Sequence, residues 1–164
     1  MTRAPAQWLL ACACVVVAAC GFQLRGSDPV HPALSPLAID AVRSGSVLLP
    51  PLRRALADAG VEVVQDAARA RVTLHINADM AGERVIAVTP QGQPREAEVF
   101  YTVEFQLVDA RGDLLLDRAV TLRREFAISE RDILGKTHEA DVLADALVHD
   151  MVRNMVRQLA AVTP

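Results

Sequence analysis

The period of the apolar positions changes several times along this chain, and each change marks an element. Ala70, Val72, Leu74, Ile76 and Ala78 alternate with Arg71, Thr73, His75, Asn77 and Asp79, which predicts a strand over 70–79 buried on one side only. A shorter strand over 84–89 ends in Pro90-Gln91-Gly92-Gln93-Pro94. The clearest hairpin pairs 98–108 with 114–126 through a turn at 109–113. On its first arm Val99, Tyr101, Val103, Phe105 and Leu107 share a side, and on its second Leu114, Leu116, Val120, Leu122 and Phe126 do. Arg118 and Arg124 fall in that apolar register, which predicts a bulge or a sheet edge there. Two stretches carry a helical period instead. Over 46–59 Leu49, Leu52, Leu56 and Ala59 line one face, Pro50 and Pro51 fit the first turn, and Gly60 stands where the residue after a helix belongs. After a loop over 127–137, residues 139–162 form a long helix. Its stripe is Leu143, Leu147, Met151, Met155 and Leu159, widened by Val142, Ala146, Val152 and Val156. With a short first strand at 37–42, the pattern predicts an α+β fold. It is a two-layer sandwich, two helices packed on one face of a mostly antiparallel four-stranded sheet.

The first twenty residues belong to none of this. Arg3 is the only charge before an unbroken apolar run at 8–17, and Ala18 and Ala19 lead into Cys20. That order is a secretory signal peptide, and the run is too short for a membrane span, which takes about 20 residues. Val17-Ala18-Ala19-Cys20 resembles the bacterial lipobox. The resemblance implies a diacylglycerol on the Cys20 thiol, cleavage before Cys20 and acylation of the new amine. Gly21 in place of an aspartate implies sorting onward to the outer membrane. The expected organisation is a signal peptide at 1–19 that is removed, a lipidated N-terminus and tether at 20–36, rich in Gly and Pro, and one domain at 37–162. Of the three cysteines, Cys12 and Cys14 go with the leader, so the domain rests on its core without a disulfide. Loss of Arg3 moves the formal net charge from −3 to −4, and that mild acidity argues against a nucleic-acid partner.

Searching for chemistry excludes most of it. His138-Glu139 opens like a zincin motif, but Val142 stands where the second histidine would be. His138 and His149 are eleven residues apart on one helix, about 16 Å along its axis, and cannot share a metal. His31 and His75 read as surface histidines, and Glu96 and Glu98 as part of a solvated strand face. No nucleophile motif or phosphate loop is present, so the chain reads as a non-enzyme with no metal and no cofactor.

Cys20-Gly21-Phe22-Gln23-Leu24-Arg25-Gly26 resembles the opening of the lipopolysaccharide (LPS)-assembly lipoproteins, the LptE family. Leu52-Arg53-Arg54-Ala55-Leu56 before Gly60-Val61-Glu62-Val63-Val64 is similar to that family's first helix and following strand. Tyr101-Thr102-Val103-Glu104-Phe105-Gln106-Leu107 is similar to its central strand, and Gly135-Lys136 with Glu139 to its last loop. The resemblance implies a lipid-anchored protein on the periplasmic face of the outer membrane. Its partners would be the outer-membrane barrel LptD, which it plugs and helps assemble, LPS, and membrane lipid through the acyl chains. A polar sheet face carrying Arg71, Thr73, His75, Asn77, Thr102, Glu104, Gln106, Thr121 and Arg123 suits the polar interior of a large barrel. The other reading is a different periplasmic adaptor lipoprotein, one that activates a peptidoglycan synthase or serves a transporter. A partner that handles the phosphates of lipid A needs local cations. Lys136, the chain's one lysine, in the turn before the last helix, is the first candidate, and Arg95 and Arg84, flanking the turn at 90–94, are the next.

Overall fold

A computed structural model describes residues 30–43, 45–128 and 133–163, and side chains within all of these except 133–138. The elements run β1 (Leu37–Ala41), α1 (Leu49–Asp58), β2 (Val63–Val64), β3 (Val72–Val88), β4 (Pro94–Asp109), β5 (Leu114–Ala127) and α2 (Ile133–Ala160).

The sheet has five strands in the order β2-β1-β3-β4-β5, not four. It is also mixed. β1 runs parallel to β2 and to β3, and only β3, β4 and β5 form an antiparallel meander. Two features hid this from the apolar pattern. β2 is two residues long, too short for any alternation to register. And the two strands expected at 70–79 and 84–89 are one strand of 17 residues, paired without a break across 80–83 and bulged earlier, at Asn77. Ile76 pairs with Phe105 and Ala78 with Glu104, which leaves Asn77 as an extra residue. Beyond it Ala78 leaves the apolar side, and Asp79 takes its place opposite Val103.

Both helices pack over one face. Leu49, Leu52 and Leu56 of α1 and Leu147, Met151, Val152, Met155, Val156 and Leu159 of α2 are buried. They meet Leu37, Leu74, Ile76, Val99, Tyr101, Val103, Phe105 and Leu107 of the sheet in one core. Each fully buried aliphatic side chain of this kind contributes about 1.5–3 kcal/mol of transfer free energy. α1 opens as its prolines require. Ser46 Oγ accepts from the Leu48 amide at 3.0 Å, Pro50 and Pro51 occupy the first turn, and Gly60 follows the helix at φ 85°.

Two boundaries differ from expectation. α2 starts by Ile133, so Lys136 lies on the helix and not in a turn. Gly135 costs about 1 kcal/mol inside a helix, which one of 28 residues absorbs. The early part of α2 also overhangs the core, leaving Val142 53% exposed. At the other end, a 3-10 turn at Pro32–Leu34 buries Val30 and Leu34 against the core, so the packed body already includes residues before 37.

Candidate functional site

The sheet face turned away from the helices holds the polar residues of the three long strands. Thr73 and His75 of β3 lie opposite Val108 and Gln106 of β4, and Thr102 lies opposite Thr121 of β5. Their side chains bond across the strands. His75 Nδ1 lies 3.1 Å from Asp40 Oδ2, and Thr102 Oγ1 lies 2.9 Å from Thr121 Oγ1. Of the residues expected on this face, Asn77 is the bulge residue and Arg71 precedes the strand. Further out, Glu98 is the buried charge of this face. Arg84 Nε donates to its Oε1 at 2.6 Å, and Arg123 Nε lies 3.8 Å from the same oxygen. A carboxylate this buried is tolerable because two guanidiniums face it. Phe100 lies beside Gly82, and a Cβ on that glycine would come within 2.5 Å of the ring.

The helix-covered side is not wholly apolar either. The bulge turns Asp79 inward, where it accepts a hydrogen bond from Tyr101 Oη at 2.5 Å and another from Ser46 Oγ. Burial first, and then the Asp79 carboxylate, push the Tyr101 phenol well above its usual range. Where β1 parts from β3, a cleft of about 200 Å³ opens beside this group, lined by Val42, Arg43, Ile76, Ala78 and Met80 among others.

The structure does not gather the expected cations into one site. Arg84 is spent on Glu98, and Arg95 donates from Nε and Nη2 to Glu96 Oε1 at 3.1 and 2.7 Å. Lys136 is on α2, and its side chain is not among those described; Cys20 lies outside the described residues. Arg124 of the edge strand β5 and Arg153 and Arg157 of α2 line a groove of about 290 Å³ with Asp150 and Asn154, while the neighbouring Arg123 turns to Glu98 on the other side of the sheet. Asp150 accepts from Arg124 Nη2 at 2.8 Å and from Arg153 Nη2. The signal lay in the sequence as an arginine in the apolar register of an edge strand and two arginines four apart on a helix. Among the described residues no group of three or more His, Cys, Asp or Glu side chains could hold a metal, and no helix is long and apolar enough to cross a membrane.

The family model for LptE, described as lipopolysaccharide-assembly, matches residues 34–159. The chain belongs to the LptE family. Among its relatives, the LPS-assembly lipoprotein LptE of Pectobacterium atrosepticum is 24% identical over 94% of this chain and 84% of its own length. That of Yersinia pestis is 28% identical over 94% and 74%. The fold of this LptE-family chain recurs in a lipoprotein B from Nitrosomonas europaea, solved in solution, at TM-score 0.74 and 24% identity over 86% of this chain and 91% of that one. It recurs also in the crystal structure of the rare lipoprotein B from Shewanella oneidensis, at TM-score 0.68 and 20% identity over 77% and 95%. Both neighbours speak to the fold alone.

Proposed function

We propose that this LptE-family chain is a non-enzymatic outer-membrane lipoprotein that plugs and helps assemble the LptD barrel and takes part in inserting LPS into the outer leaflet. Cys20, freed by removal of residues 1–19, carries the acyl chains that hold it to the periplasmic face. Stable anchoring follows because several chains bind far more tightly than one.

The observation that carries this reading, beside the family, is the open sheet face. Three long strands present hydroxyls, amides and ion pairs on it, and among the described residues no helix covers them. A barrel lumen is polar, and a partner within it must match hydrogen bonds rather than bury apolar surface. The long ribbon of β3, β4 and β5 suits the tall interior of a barrel better than the flat contact of an adaptor.

Co-purification is the test. From solubilised outer membranes the chain should emerge in a one-to-one, heat-resistant complex with a large barrel protein. Recovery of a peptidoglycan synthase or a transporter in its place would replace this reading with the adaptor one. Cys20→Ala should leave an uncleaved or soluble product, and an unmodified Cys20 in the mature protein would end the anchoring claim.

A further inference from the structure

We propose that the outer edge of β3, from Asp79 to Val85, is a strand-addition site for an extended segment of a protein partner, an apolar segment with a basic residue at its centre. The inference goes beyond the barrel reading and stands or falls apart from it.

The sheet leaves this edge open. β1 pairs with β3 only as far as Ala41 opposite Ile76, and the Val42 amide still reaches the Ile76 carbonyl, at 3.3 Å. Beyond that point no strand lies on this side of β3 among the described residues, while its other side pairs with β4 without irregularity from Ala78 to Val85. A row of unpaired amides and carbonyls is satisfied in full only by another extended chain. Helix cover ends short of the edge too. Tyr101, Val99 and Ala97 of β4 are buried, yet Ala81, Glu83 and Val85 opposite them are exposed. Six of the eight exposed large apolar side chains among the described residues gather here. Met80, Val85, Ile86 and Val88 are on the strand, and Val42 and Val47 are in the loop that Ser46 ties to Asp79. Met80 is 56% and Val85 49% exposed, and apolar patches of this kind mark binding surfaces. The irregularities that follow Val85 end the regular ladder and limit the segment's length.

The same residues define the occupant. Side chains added opposite Ala81 and Val85 meet apolar surface. Between them, one opposite Glu83 meets an exposed carboxylate that pairs with no cation among the described side chains, whereas Arg84 is already held by Glu98. Opposite charges across strands attract, so the middle residue is Lys or Arg. A second copy docking edge to edge would make too small an interface. The stretch is about 23 Å long and about 10 Å thick, on the order of 230 Å² against the roughly 800 Å² per partner of a stable complex. Nor can a wall strand of a closed barrel serve, because both its edges are already paired. The segment therefore comes from a loop or a terminus.

The test uses the complete lipidated chain in a non-ionic detergent and three synthetic peptides. The first is Thr-Val-Thr-Lys-Thr-Val-Thr, which reads alike in either direction. The second has Glu in place of Lys, and the third is the first with its backbone amides methylated. The lysine peptide should bind saturably, one per chain, and protect amides within 79–85 from hydrogen exchange. The methylated peptide should bind about tenfold more weakly, and the glutamate peptide about fivefold more weakly. Glu83→Lys should reverse the second preference, which a merely structural role for Glu83 would not do. Val85→Lys should weaken the lysine peptide by about fivefold while thermal unfolding stays unchanged, and Met80→Lys takes its place if that variant fails to fold. Absence of saturable binding, equal binding of the methylated peptide, or protection at β5 instead would each overturn the proposal. A dimer in light scattering that Val85→Lys dissolves would give the edge to a second copy and overturn it as well. In whole cells, a photoreactive residue in place of Val85 should join to a loop or terminus of another protein, at a basic residue set among apolar ones. A product with lipid or with a barrel-wall strand overturns the assignment. None of these outcomes alters the co-purification by which the barrel reading is judged.

Discussion

Asp79 accepts from two hydroxyls at once, those of Tyr101 and Ser46. Replacing Tyr101 by Phe removes one of those bonds without opening a cavity, and should cost about 1 kcal/mol. Asp79→Ala removes both bonds and should cost more, about 2 kcal/mol; urea unfolding of the two variants checks the order. Tyr101 also makes a pH prediction. Its folded-state pKa is raised, so the stability it contributes is fully present below the ordinary phenol value of 10.0 and is lost as the pH climbs through the higher folded value. In an ultraviolet titration the phenol should ionise only as the chain unfolds. Ionisation near pH 10 in the folded protein would show Tyr101 to be open to water. Nothing in the alternation of residues 70–79 disclosed this group, because the bulge that turns Asp79 inward inserts a residue without altering the local polarity pattern.

At the scale of elements, β4 was the most legible. Val99, Tyr101, Val103, Phe105 and Leu107 are all buried as their spacing requires, because a central strand is packed along its length. Arg118 and Arg124 likewise marked the sheet edge: β5 is that edge, and Arg124 reaches the helix from it. The groove of Arg124, Arg153 and Arg157 was not legible, since which strand lies beside the end of α2 is a tertiary fact. Turn chemistry yields two further predictions. Between β4 and β5, Asp109 Oδ1 accepts from the amides of Arg111 and Asp113 at 2.8 Å each. The Asp113 amide is the main cause of its lowered pKa, joined by the Arg111 amide and charge. A lowered pKa places the turn's stabilisation above the ordinary value of 3.8 and removes it as pH falls through the folded value. Asp109→Ala should therefore lower the melting temperature at pH 6 and have little further effect in strong acid, a comparison open to calorimetry. Gly112 in the same turn sits at φ 92°, so Gly112→Ala should cost about 1 kcal/mol or more by denaturant titration.

For the molecule as a whole, the N-terminal segment is where sequence reading and structure part furthest. Residues 20–36 lack any period and read as a tether, yet Leu34 is fully buried in the common core. Periodicity is blind to single anchors of this kind, which need no regular element around them. Leu34→Ala should destabilise the entire fold by about 3 kcal/mol, measured by urea unfolding, whereas a true tether position would tolerate it. If Cys20 holds the lipid, the ten residues from there to Val30 span at most about 36 Å, which fixes how far the body can stand from the membrane. The bulge at Asn77 has a consequence at this scale too. A pleated strand assigns sides by odd and even count, so a single added residue acts as a change of parity for everything after it. Deleting Asn77 would therefore leave every side where it is, with Ile76 still opposite Phe105, Ala78 opposite Glu104 and Asp79 opposite Val103, now in an unbroken ladder. A residue lost just beyond it, between Asp79 and Arg84, would instead turn Arg84 from Glu98 towards the helices. The bulge is thus a place where β3 can shed a residue without exchanging its two surfaces. In related chains, single-residue gaps in this strand should therefore collect at this position.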